Sequence, residues 1–70
     1  MTLKYLRDLT DDALKGVYKH NSYWQYKWFR LYEDNHSKNI RDKFVNENLE
    51  RFTKNVNKIS KVMSERGIEI

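Results

Sequence analysis

The chain has seventy residues, of which 34% are charged, with no cysteine, no proline and only two glycines, so a single helical domain over residues 1–70 is the expectation. Without cysteine it can form neither a disulfide nor a thiolate metal site. The net charge of +4 is mildly basic and well short of a histone-like tail.

Leu3, Leu6 and Leu9 lead the chain, with Thr2 as a cap, and form either a helical turn or an apolar lead-in. Lys4, Arg7 and Asp8 interrupt these leucines, so residues 1–10 hold no apolar run of signal-peptide length, and a cytoplasmic location is expected. No apolar stretch is long enough for a membrane span.

Thr10-Asp11-Asp12-Ala13 reads as a helix start. Thr10 can accept from the first free N–H groups, and the two aspartates meet the positive end of the dipole. Leu9 and Leu14 have hydrophobic-staple spacing. Ala13, Leu14, Val17 and Tyr18 form the expected inward face, Gly16 is a tolerated weakness, and the helix is expected to end near Lys19 to Asn21.

Ser22-Tyr23-Trp24-Gln25 has capping-box form and predicts a second helix from Tyr23 to about Asp34, with Asn35 as its left-handed terminal residue. Ser37 then caps a third helix over Lys38 to Arg66. In that segment Val45, Leu49, Phe52, Val56, Ile59 and Met63 recur at spacings of 4, 3, 4, 3 and 4, a sustained apolar seam. Ile40 and Phe44 lie off this seam. Asn46 and Asn48 therefore mark either a kink or one straight helix serving two partners. Gly67 after Arg66, with Ile68 beyond it, predicts a Schellman stop pressed against Met63. The expected fold is all-α, a small bundle of three to four helices with short loops.

Catalytic and metal chemistry find little support. His20 and His36 are too far apart in sequence for a histidine metal motif, and Asp11-Asp12 and Glu33-Asp34 are adjacent pairs whose side chains diverge on a helix. No convergent acid, base and oxyanion groups are evident, so neither an enzyme nor a cofactor is expected.

Two surfaces can carry a binding function. Six of the ten residues from Tyr23 to Tyr32 are aromatic. On a helical wheel Trp24, Trp28, Leu31 and Tyr32 share one face, Tyr26 and Phe29 lie nearly opposite, and Tyr23, Lys27 and Arg30 make a strip between them. A helix apolar on two sides is either central in a bundle or exposed at an interface. The interface reading makes Tyr23, Tyr26, Lys27, Phe29 and Arg30 a site for another protein, because Tyr, Trp and Arg dominate binding hot spots. The second surface is the stripe Arg51, Lys54, Lys58 and Lys61, on one face opposite the apolar seam and suited to phosphates. No helix-turn-helix pattern accompanies it, and Glu47, Glu50 and Glu65 dilute its charge. The leading expectation is a small regulator or inhibitor, of the kind carried by phages and mobile elements, that works by protein binding. The alternatives are nucleic-acid binding through the basic stripe and a homodimer joined along surplus apolar faces.

Overall fold

The computed structural model describes residues 1–69 and contains three helices, with no strand among the described residues: α1 over Leu3–Arg7, α2 over Asp11–Ser37 and α3 over Lys43–Glu65. The long helices α2 and α3 run antiparallel as a hairpin, and short α1 packs across its open-ended base. The molecule measures 42 × 20 × 15 Å, so over much of its length it is one layer of helices thick.

Each helix begins where a side chain can accept from free backbone donors. Thr2 Oγ1 accepts from the Tyr5 N–H at 3.2 Å, Thr10 Oγ1 from Ala13 at 3.2 Å, and Asp42 Oδ1 from Phe44 at 3.0 Å and Val45 at 3.3 Å. Both long helices end by the same device. Asn39 and Gly67 take positive φ values of 58° and 73°. The next N–H, from Ile40 or Ile68, then reaches back to Asn35 O at 2.8 Å or Met63 O at 2.9 Å. The Schellman stop expected at Gly67 is therefore present, with Ile68 packed on the core.

The expected break between Lys19 and Ser22 does not form, and the helix expected over Tyr23 to Asp34 is the second half of α2. Ser22 lies inside that helix and caps nothing, and its Oγ is buried without a hydrogen-bond partner among the described residues. The local capping-box pattern lost because a longer one runs through it. Leu14, Tyr18, Asn21, Gln25, Trp28, Tyr32 and Asn35 recur at alternating spacings of 4 and 3, which keeps one face turned towards α3. Asn35 is helical, and the left-handed residue comes one turn later at Asn39. Ser37 closes α2 by donating to Asp34 O at 2.8 Å, leaving the start of α3 to Asp42.

Helix α3 is continuous through Asn46 and Asn48, the latter donating from Nδ2 to Phe44 O at 2.8 Å. Ile40 departs from the seam because it precedes the helix. Gly16 serves no close approach, since a Cβ there would meet nothing within 4 Å, and Ala13 is exposed rather than inward.

The core sits at the base of the hairpin, where Leu6, Leu14, Ile59, Val62 and Met63 are at most 2% exposed. Leu3, Leu9, Val17, Tyr18 and Ile68 surround them, so the Leu9–Leu14 staple joins this cluster. Arg66 locks α1 in place. Its guanidinium donates to Arg7 O at 2.6 Å and Leu6 O at 3.4 Å, satisfying carbonyls at the end of α1, and pairs with Asp11 at 3.0 Å. Arg7 completes the clasp through Glu65 at 3.1 Å.

Candidate functional site

Beyond the core, polar contacts join the two long helices. Asn55 Nδ2 donates to Asn21 Oδ1 at 3.2 Å, and Gln25 Nε2 donates to Thr53 Oγ1 at 3.2 Å. Asn21 is 4% exposed, and its own Nδ2 donates to Val17 O at 2.8 Å, so its amide is satisfied on both ends. A paired polar layer of this kind fixes register between two helices, because a slip would leave its amides unpaired. Asn21, Gln25, Thr53 and Asn55 escape a reading based on apolar residues alone; the unbroken 4-3 spacing of α2 is the signal that locates Asn21 and Gln25, and no comparable signal marks Thr53 and Asn55 on α3.

Past this layer the seam becomes aromatic. Trp28 meets Phe44 edge to face at a centroid distance of 5.4 Å. Gln25, Trp28 and Tyr32 thus lie between α2 and α3, and the two flanks of α2 emerge on either side of them. One flank carries Tyr26 and Phe29. With Gln25, Leu49 and Thr53 they line an apolar groove of about 490 Å³ between the helices. Tyr26 is 54% exposed and Phe29 46%. The other flank carries Trp24 and Leu31, also partly exposed.

Of the residues singled out for protein binding, Tyr26 and Phe29 line this groove and Arg30 joins them through Tyr26, while Tyr23 and Lys27 stand further round the helix. Arg30 Nη1 donates to the Tyr26 hydroxyl at 3.0 Å, and its guanidinium lies 5.7 Å from the Tyr26 ring centre. Lys27 holds Tyr23 in the same i,i+4 way, with Nζ 5.4 Å from the ring centre. Tyr23 and Tyr26 are thus each held by a cation one turn later, which reduces the rotamer freedom they would lose on meeting a partner.

The basic stripe lies on the outer face of α3, with Arg51, Lys54, Lys58 and Lys61 all exposed. Two of its cations are engaged locally. Lys54 pairs with Glu50 at 2.8 Å, and Lys58 Nζ donates to Met1 O at 3.1 Å. The Lys54 ammonium, by hydrogen bond and by charge, holds the Glu50 carboxyl below its ordinary value. His20 and His36 are separate, each against its own aromatic neighbour, Trp24 at 6.5 Å and Tyr32 at 6.1 Å. No group of three or more metal-ligating side chains gathers among the described residues. No helix among them is long and apolar enough to cross a membrane.

The fold class is therefore an all-α helical hairpin with a short clasping helix. No family model, curated protein or solved structure matches this chain.

Proposed function

We propose that this chain is a small non-enzymatic regulator or inhibitor that acts by binding another protein through the Tyr26/Phe29 flank of α2. The observation that carries this reading is the groove between the long helices, where two half-exposed aromatic rings border Leu49 with no third helix over them among the described residues. Aromatic anchors beside a shallow apolar groove, with Arg30 at the rim, are the composition of a binding hot spot. Tyr23 and Lys27 extend the surface along the outer side of α2. Occlusion of the partner's own surface is the mechanism such a rigid rod offers.

The basic stripe supports nucleic-acid binding less well. Glu47 and Glu50 share the outer face of α3, and Lys54 spends its charge on Glu50. Counterion release scales with the number of free cations set against phosphates.

The test is the double variant Tyr26→Ser/Phe29→Ser. Its helical circular dichroism and melting midpoint are expected to stay close to those of the parent, because both rings already face solvent, while partner binding is lost. A variant that fails to fold would make these rings structural and remove the reading.

A further inference from the structure

We infer that the occupant of the Tyr26/Phe29 groove is a second copy of this chain, packed antiparallel about a two-fold axis through Tyr26. The inference rests on the protein-binding reading above and names its partner. Three observations carry it.

The first is the spacing of charge along the flank. Lys19 lies seven residues before Tyr26 and Glu33 seven after it. Seven residues are close to two helical turns, so all three stand on one face, with each charge about 10 Å from the tyrosine along the axis. A two-fold axis at Tyr26 therefore sets Lys19 of each copy opposite Glu33 of the other, twice. A parallel arrangement would set like against like. Lys15, one turn further out, extends the positive end.

The second is that these charges are free. Lys19 and Glu33 are exposed, and neither forms an ion pair among the described residues, whereas Asp34, Glu47, Glu50, Lys38, Lys43 and Lys54 all do.

The third is extent. The molecule's two longest extents are 42 and 20 Å, large enough to hold the roughly 800 Å² that each partner buries in a stable interface. Two hairpins stacked on this side would convert a single layer of helices into a four-helix arrangement, giving Tyr26, Phe29 and Leu49 the second layer they lack.

The test is sedimentation equilibrium of the full chain and two charge-reversal variants. The parent is expected to dimerise at micromolar concentration. Lys19→Glu and Glu33→Lys, each alone, should weaken self-association roughly tenfold by placing like charges face to face at two symmetric positions. An equimolar mixture of the two variants should form a heterodimer as tight as the parent dimer, because both cross-pairs are then opposite in sign. A parent that stays monomeric to about 1 mM overturns the inference. So does a mixture no tighter than its components. Neither result touches the broader reading, which fails if Tyr26→Ser/Phe29→Ser cannot fold or if the folded variant still binds its partner.

Discussion

The base of the hairpin and its loop end are built from the same two helices and solve different problems. At the base, Leu6 of α1, Leu14 of α2 and Ile59, Val62 and Met63 of α3 gather in one cluster and lose almost all contact with water. At the loop end no third element stands among the described residues. Phe44, despite its edge-on contact with Trp28, remains 64% exposed, and Ile40 50%. Two helices alone present a seam one side chain wide, which cannot enclose rings of this size. The larger side chains are thus at the less enclosed end. Stability concentrates where α1 supplies a lid, and binding potential where nothing does.

The largest expected effect lies in that contrast. Ile59→Ala should cost about 2–5 kcal/mol, the usual range for emptying a closed aliphatic site, whereas Phe44→Ala should cost under about 1 kcal/mol. Denaturant unfolding of the two variants side by side measures it, and equal losses would mean that the loop end is as well enclosed as the base.

A smaller effect separates the lid from the hairpin beneath it. Arg66→Ala removes the donors that close the end of α1 and its link to Asp11, and should cost about 1–2 kcal/mol. Amide exchange at Leu6 and Leu9 should accelerate while the middle of α2 keeps its protection. Uniform acceleration would show that α1 and the hairpin open as one unit.

The smallest effect is electrostatic and belongs to the outer face of α3. Because Lys54 depresses the Glu50 pKa in the folded chain, this pair stabilises the fold above the carboxylate's unfolded pKa, and its contribution fades as pH falls through the lower folded value. The pair is solvent-exposed, so the melting midpoints of Glu50→Gln and the parent should differ only slightly at neutral pH and converge in acid. A gap that widened in acid would contradict the assignment.

Much of the helical architecture is already legible in the sequence. The absence of proline, the seam from Val45 to Met63, Thr10 as a cap and the Gly67 stop all appear as read, because each depends on residues within one or two turns of one another. The aromatic density of α2 and the outward stripe of α3 are equally local. What the sequence could not settle was where α2 ends. Ser22 and Gln25 satisfy a capping pattern, yet the helix runs on to Ser37, because Asn21 and Gln25 find Asn55 and Thr53 on α3. Those partners lie 34 and 28 residues away, and only the antiparallel hairpin brings them into reach. The same holds for Arg66, whose role at the end of α1 joins residues nearly a full chain length apart, and for the groove, which exists only between Phe29 and Leu49 of two different helices. Composition and period determined that this chain is helical and which faces are apolar. Tertiary packing decided which of those faces is covered, because burial depends on what stands opposite and not on what stands next in sequence.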